Sequence, residues 1–255
     1  MKDFAAFKKV AIDAVKKAEV TILHYFHNQP PVETKVDKTP VTKADKEAEQ
    51  IIVETIKRAF PSHGFLGEEF GEENQDAEFV WIIDPIDGTK SFIRGLGFFG
   101  TVLGLQYEGK IVLGISNMPI IDELLYASEI EKTTLNGKPV HVSKVNDLQS
   151  CFVNFNTNKF DNQKIINIMQ KLTGSVMYIR GFADTYGYHL VATGRADVFF
   201  EFTAKPWDIS AYQIIVQQAG GMFSDFSGDD RALGPTTLAT NGLLHDQMLQ
   251  IVQAA

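Results

Sequence analysis

A mixed α/β fold is predicted, and three observations predict it. Residues 3–60 carry two runs of apolar residues at helical spacing. Residues 79–142 carry short apolar runs broken by tight-turn signals, and strand and helix patterns alternate from about residue 150 onward. The first two make an α+β half over residues 1–150, an antiparallel sheet behind two helices. The third makes an α/β half over residues 151–255.

The first helix is read from Phe4, Phe7, Val10, Ala11, Ala14, Val15, Ala18, Ile22 and Phe26, with lysines and acids on the other face. His24 and His27 fall at its end, where the helix dipole favours cations. Residues 28–41, with Pro30, Pro31 and Pro40, read as a loop or an extended hairpin. Ala48, Ile51, Ile52, Ile56 and Phe60 give the second helix. Thr42 and Asp45 stand ahead of it at capping-box spacing, so Asp45 has a structural reading as well as a chemical one. After Pro61 and Gly64, the acids of Gly67-Glu68-Glu69-Phe70-Gly71-Glu72-Glu73 read either as a solvated loop or, for Glu68, as a strand-end carboxylate.

Phe79 to Ile83 reads as a buried strand ending in Asp84-Pro85-Ile86-Asp87-Gly88-Thr89. Pro85 stiffens that turn and Gly88 permits unusual backbone angles. Paired carboxylates beside hydroxyl and backbone N–H groups suit a cation and an anion held together, Mg²⁺ and a phosphate ester being the usual pair. Gly95-Leu96-Gly97-Phe98-Phe99-Gly100 matches a dinucleotide fingerprint by letter. It is rejected because a strand, Thr101 to Tyr107, follows it where a helix is required. Glu108-Gly109-Lys110 is a hairpin turn, Leu124 to Ala127 a strand, and Asn136-Gly137 a turn before Val140-His141-Val142. In the second half, strands are read at 152–155, 175–179 and 196–200, and helices at 161–172, 185–194 and 209–219. Asp225 to Asp229 imitates a calcium loop but lacks its glycine and terminal acid, so it is read as a turn.

The chain has 255 residues, 44% hydrophobic and 22% charged, enough for a sizeable core. A net charge of −8 argues against a nucleic-acid partner. The single cysteine, Cys151, rules out a disulfide within the chain and points to a reducing, cytoplasmic setting. No signal peptide is visible, and no run approaches the roughly 18 apolar residues of a membrane span.

Chemistry concentrates in acids at strand ends and helix starts: Glu68, Asp84, Asp87, Glu201 and Asp208. Asp208 precedes a helix and also reads as its N-cap. If Glu68, Asp84, Asp87 and Asp208 converge, they remain ionised together only with cations between them, and oxygen-only ligands favour Mg²⁺ or Mn²⁺ over Zn²⁺.

Gly67-Glu68-Glu69, Asp84-Pro85-Ile86-Asp87-Gly88-Thr89, Trp207-Asp208 and Gly220-Gly221, in that order, resemble the inositol monophosphatase family of Mg²⁺-dependent, lithium-sensitive phosphatases. The resemblance implies a layered α-β-α-β-α sandwich, with two or three Mg²⁺ per site (or Mn²⁺), a small-molecule phosphate monoester as substrate, and a homodimer. It further implies that Glu68, Asp84 and the Ile86 carbonyl ligate one metal, and Asp84, Asp87 and Asp208 the second. Thr89 with Asp45 would activate the attacking water, Glu68 would assist from its metal, and the Gly88 and Thr89 amides would hold phosphate oxygens. Val41-Thr42-Lys43-Ala44-Asp45 resembles the corresponding family segment.

Before Leu190-Val191-Ala192-Thr193-Gly194 the chain departs from the inositol phosphatases. Asp184 and Thr185 stand where small residues are usual, with Tyr186 and Tyr188 beyond them, and this D-x-Y-x-Y pattern looks more like the histidinol-phosphate phosphatases of the same superfamily. A carboxylate suits a cationic amine or imidazole better than ring hydroxyls. Asp184, Thr185 and Tyr186 are therefore expected substrate contacts, although Tyr186 and Tyr188 also read as core aromatics and Asp184 as a cap; Glu201 resembles the acid that contacts substrate in inositol phosphatases and suits either a hydroxyl or an amine. Inositol 1-phosphate or another sugar or nucleotide phosphate is the alternative substrate. A non-catalytic binding relative is the alternative of a different class, and the intact acid set argues against it.

Overall fold

The structure is a computed structural model that describes residues 2–28, 32–34, 40–157, 160–230 and 234–255. The first helix, α1 (Phe4–Asn28), is followed by a small hairpin of β1 (Val32–Thr34) and β2 (Pro40–Thr42), the hairpin reading of this stretch, whose tip lies outside the described residues. Then come α2 (Lys43–Ala59), β3 (Gly64–Gly67), β4 (Gly71–Glu73), β5 (Phe79–Asp87), α3 (Thr89–Ile93), β6 (Gly100–Tyr107), β7 (Lys110–Met118), β8 (Glu123–Ser128), β9 (Glu131–Leu135) and β10 (Lys138–Pro139). The remainder is β11 (Phe152–Asn156), α4 (Gln163–Thr173), β12 (Tyr178–Arg180), α5 (Asp184–Ala192), β13 (Val198–Glu201), α6 (Pro206–Ile209), α7 (Tyr212–Gln218), β14 (Met222–Ser224), β15 (Thr237–Thr240) and α8 (His245–Gln253).

Two sheets organise these elements. The larger has the order β10-β9-β8-β7-β6-β5-β3-β4 and is antiparallel except where β3 runs parallel to β5. The smaller has the order β12-β11-β13-β15-β14, with β12, β11 and β13 parallel. Strand alternation assigns each face. Trp81 and Ile83 of β5 pack with Phe7, Ala14, Ile52 and Ile56 of α1 and α2, whereas Ile82 turns to the opposite core with Val191, Ile209 and Ile215. In β13, Phe199 joins that middle core, while Val198 and Phe200 face Ile168 of α4 and Met248 of α8. The layers therefore run helix, sheet, helix, sheet, helix, as expected.

Three local expectations are corrected. The helix expected over 209–219 is two short helices, α6 and α7, joined at Ser210 and Ala211. The reason is close approach to the sheet: Gly104 and Gly114 are register partners on β6 and β7. A Cβ on Gly104 would lie 2.8 Å from the Ser210 Cβ, and one on Gly114 would lie 2.4 Å from the Ala211 carbonyl oxygen. Beyond the Asn136-Gly137 turn, β10 is only Lys138–Pro139. Pro139 has no N–H to extend the ladder, and the Val142 amide instead donates to the Ala219 carbonyl at 3.1 Å. The strand expected at 175–179 is Tyr178–Arg180.

Candidate active site

The strand β5 ends in an irregularity that aims its acids. Asp84 pairs with Val102 and Asp87 with Gly100, so one strand spends an extra residue between the two pairs, a bulge. The Thr101 hydroxyl fixes the bulge by donating to the Pro85 carbonyl at 2.9 Å. Gly88 follows at φ +90, a conformation that favours glycine, and turns the chain into α3. The parallel strand β3 brings Glu68 alongside: its amide donates to the Ile83 carbonyl at 3.1 Å.

A cleft opens at this point between the two sheets. Glu68, Asp84, Ile86, Asp87, Gly88, Thr89 and Lys90 form one wall; Asn156, Asp184, Tyr188, Glu201, Thr203 and Asp208 form the other. Glu68, Asp84, Ile86, Asp87, Gly88, Thr89, Asp184, Glu201 and Asp208 are thus brought together. Asp45 lies behind the wall, fully buried, with Oδ1 3.4 Å from the Thr89 hydroxyl. That hydroxyl is also 3.1 Å from the Ile86 carbonyl, so its proton is shared between two acceptors.

Four of these acids share a design in which one carboxylate oxygen is held by the protein. Asp45 Oδ2 accepts from the Thr42 amide at 2.8 Å and the Thr42 hydroxyl at 2.6 Å, completing the predicted capping box of α2. Asp208 Oδ2 accepts from the Lys205 amide at 2.8 Å, so Asp208 supports the start of α6 from inside the first turn and is not its N-cap. Asp84 Oδ1 accepts from the Ile86 amide at 3.0 Å. Asp87 differs, because its Oδ2 is held by a side chain, the Thr185 hydroxyl, at 2.6 Å.

The electrostatics are those of crowded, poorly hydrated carboxylates. Burial, then the charges of Glu68, Asp87 and Asp208, push the Asp84 pKa well above the usual range. Burial and the charges of Asp184 and Asp208 do the same for Asp87. Burial pushes Asp208 up to about 7. Such a cluster takes up either protons or cations. Among the described residues, no three His, Cys, Asp or Glu side chains are gathered closely enough to hold a metal ion as they stand. The donors nonetheless fit one in kind: they are oxygen only, converge on one cleft and carry charge that hard divalent cations offset.

Of the expected substrate residues, Asp184 and Glu201 face the cleft and are joined through one amide. Asn156 Nδ2 donates to Asp184 Oδ1 at 3.1 Å and to Glu201 Oε2 at 2.8 Å. Asp184 has φ +54, rare for a residue with a side chain, and does not serve as the N-cap of α5, a place held by Ala183. Thr185 and Tyr186 do not reach the cleft wall. Thr185 is fully buried behind Asp87, and Tyr186 sits among Phe98, Phe182 and Arg195, with ring centroids 5.0 and 5.7 Å from the two phenylalanines. Successive residues of a helix point about 100° apart, so only one of three neighbours could face the cleft. Sequence reasoning missed Lys90, Asn156 and Thr203 as lining residues and left Tyr188 undecided. Lys90, beside Thr89 in the recognised motif, carried the one usable signal; Asn156 sits in an ordinary strand pattern.

The five layers and the acid-lined cleft between the sheets define a layered α/β phosphatase. The sequence model of the inositol monophosphatase family matches residues 3–255, and the chain belongs to that family. It is 38% identical over 222 residues to a histidinol-phosphatase of Chlorobaculum parvum, covering 86% of each chain. It is 37% identical over 216 residues to a fructose-1,6-bisphosphatase/inositol-1-monophosphatase of Thermotoga maritima, covering 84% of this chain and 83% of that one. Among solved structures, the extragenic suppressor protein suhB of Bartonella henselae superposes with a TM-score of 0.91 at 28% identity, covering 97% of this chain and 98% of that one. No helix among the described residues is long and apolar enough to cross a membrane.

Proposed function

We propose that the cleft hydrolyses a small phosphate monoester with the help of Mg²⁺, and that histidinol phosphate is its favoured substrate. The observation that carries the substrate is the Asp184–Asn156–Glu201 wall. Two carboxylates, buried Glu201 and half-buried Asp184 on strained backbone, are presented to the cleft by a shared amide. Such a wall recognises a cationic ammonium or imidazole and offers little to an uncharged ring beyond hydrogen-bond acceptors. The name of the Chlorobaculum parvum relative supports the same substrate.

Glu68, Asp84, Asp87, Asp208 and the Ile86 carbonyl would hold the metal, two or three ions by family resemblance, with Mn²⁺ a workable substitute. When bound, the metal would lower the pKa of water and offset charge on the phosphoryl group. The chain's own residues do the rest. The Gly88 and Thr89 amides, at the turn into α3, hold phosphate oxygens. The Thr89 hydroxyl orients the attacking water, and Asp45 Oδ1 behind it receives the proton. Glu68 supports that water from the β3 side.

Inositol 1-phosphate is the second reading, favoured by Thr203 and Glu201, which supply hydroxyl-compatible contacts on the same wall. A homodimer belongs to the same proposal. Exposed Leu96, Phe98, Ile120 and Phe182 lie around Gly97 and Tyr186 beside the cleft, and sedimentation would read the oligomeric state.

The deciding experiment is a phosphate-release panel of histidinol phosphate, inositol 1-phosphate, fructose 1,6-bisphosphate and an adenosine bisphosphate, with Mg²⁺ or EDTA. Histidinol phosphate should give the highest kcat/KM. A higher value for the inositol ester would replace the substrate reading, and undiminished release in EDTA would overturn the metal reading.

A further inference from the structure

Strand β11 carries two asparagines, Asn154 and Asn156, two residues apart and therefore on one face of the sheet. Asn156 supplies the amide shared by Asp184 and Glu201. Asn154 is fully buried, and its carboxamide is spent on the backbone of Phe182. Its Oδ1 accepts from the Phe182 amide at 2.6 Å, and its Nδ2 donates to the Phe182 carbonyl at 2.5 Å.

The sheet explains why a side chain does this work. β12 pairs with β11 only as far as Arg180, the register partner of Asn154. Beyond Arg180 the chain leaves the ladder, and Phe182 lies in no strand. The Asn154 carboxamide stands in for the missing neighbour, because it offers one acceptor and one donor as a backbone does.

Two residues further on, Asp184 has φ +54, a left-handed backbone that glycine adopts readily and that other residues keep only where their surroundings impose it. Here both sides impose it. Upstream, Asn154 fixes Phe182. Downstream, α5 is fixed by the Thr185 hydroxyl on Asp87 at 2.6 Å and by Gly187, where an added Cβ would lie 2.4 Å from the Phe199 ring. Ala183 and Asp184 are the link between these fixed points. With the link in place, Asp184 Oδ1 meets Asn156, and Oδ2 lies toward Gly88, where an added Cβ would be 3.3 Å away. Oδ2 is thus held beside the turn assigned to the phosphate.

We propose that Asn154 is a positioning residue for substrate selectivity: by clamping the Phe182 backbone it holds Asp184 in the left-handed conformation that turns Oδ2 into the cleft. The proposal rests on the reading of Asp184 as the contact for a cationic group of the substrate. Without the clamp the carboxylate is still present, but the link relaxes and its direction is lost. The metal ligands on β5 and α6 are untouched.

The test separates the clamp from the reading beneath it. Selectivity is the ratio of kcat/KM for histidinol phosphate to that for inositol 1-phosphate. It is measured for wild type, Asp184→Asn, Asn154→Ala and the double variant. Asp184→Asn should lower the ratio at least about 30-fold, as loss of a charged hydrogen bond does. A wild-type ratio in Asp184→Asn would overturn the Asp184 reading and the proposal with it. Asn154→Ala should lower the ratio about 10-fold, chiefly through the KM for histidinol phosphate, and should lower it less than about twofold further when Asp184 is already Asn. A wild-type ratio in Asn154→Ala beside a collapsed one in Asp184→Asn would leave Asp184 standing and overturn the clamp. Equal losses on both esters, or full additivity in the double variant, would also overturn it. Asn154→Asp keeps the acceptor for the Phe182 amide and loses the donor to its carbonyl; it should show a smaller fall and serves if the alanine variant does not fold. Amide exchange on the wild type needs no variant at all: the Phe182 amide should be as protected as those of β11, and rapid exchange there would overturn the clamp.

Discussion

The Thr89 hydroxyl stands 3.4 Å from Oδ1 of Asp45, while Oδ2 of the same carboxylate is occupied by the amide and hydroxyl of Thr42. Asp45 is therefore a helix cap through one oxygen and a partner of the cleft through the other. The two readings of this residue, structural and chemical, are both realised because a carboxylate has two oxygens.

That division predicts separable effects. Thr42→Ala removes a cap and should cost about 1 kcal/mol of stability with a small loss of kcat. Asp45→Asn leaves an oxygen for the cap but removes the proton acceptor facing Thr89, and kcat should fall about 10²- to 10⁴-fold. Chemical denaturation and steady-state phosphate release measure the two. Equal loss of kcat in both variants would show that the cap and the chemistry are not separable.

Gly114 allows Ala211 to rest against the sheet, and Asp208 lies three residues before Ala211. In Gly114→Ala, the new Cβ would sit 2.4 Å from the Ala211 carbonyl oxygen, so α6 must move. A cost of about 1–3 kcal/mol is expected from such overpacking, together with a higher Mg²⁺ requirement. Gly109→Ala is the control: φ is +80 there but no atom lies within 4 Å, so it should lose stability by backbone strain alone and keep its Mg²⁺ requirement.

Gly67 and Glu49 are matched in a similar way. The Glu49 carboxylate accepts from the amides of Glu69 and Phe70 at 2.9 and 3.0 Å, pinning the chain just after Glu68. A Cβ on Gly67 would lie 1.8 Å from Glu49 Oε1. Gly67→Ala should expel that carboxylate, accelerate amide exchange at Glu69 and Phe70, and lower kcat/KM. Glu49→Gln, which keeps one acceptor, should fall between it and wild type.

Glu123 sets the acid limb of stability. Burial alone would raise its pKa, but hydrogen bonds from His189 and Arg195 outweigh burial and bring it down from 4.5 to about 2. The folded state therefore binds its proton less readily than the unfolded chain. The contribution is complete above about pH 4.5 and is lost as pH falls toward 2. With allowance for solvent screening at this partly open edge, about 1–2 kcal/mol is at stake. Denaturation midpoints between pH 2.5 and 6 should fall less steeply in Glu123→Gln than in wild type, and identical slopes would count against it.

The helical periodicity of α1 and α2, the hairpin turns of the larger sheet and the Asp84–Thr89 turn were all legible, because each is written in neighbouring residues. Glu68 and Asp208 were legible as acids at element ends. Asn156 was not, since its role arises from pairing with Glu201 across parallel strands and from facing Asp184 at the start of α5. Thr185 was assigned to the right helix and the wrong side of it. Its direction depends on how α5 rotates against Asp87, which no residue beside it encodes.

By itself, then, the sequence determined the layers, the family and the acids of the cleft, since periodicity, turn chemistry and short motifs are local properties. Tertiary structure alone decided which oxygen of each acid is spent on the protein, how Gly104 and Gly114 admit the segment that carries Asp208, and that Thr185 serves Asp87. Those are matters of approach and direction between segments remote in the chain, and they exist only once the core has closed.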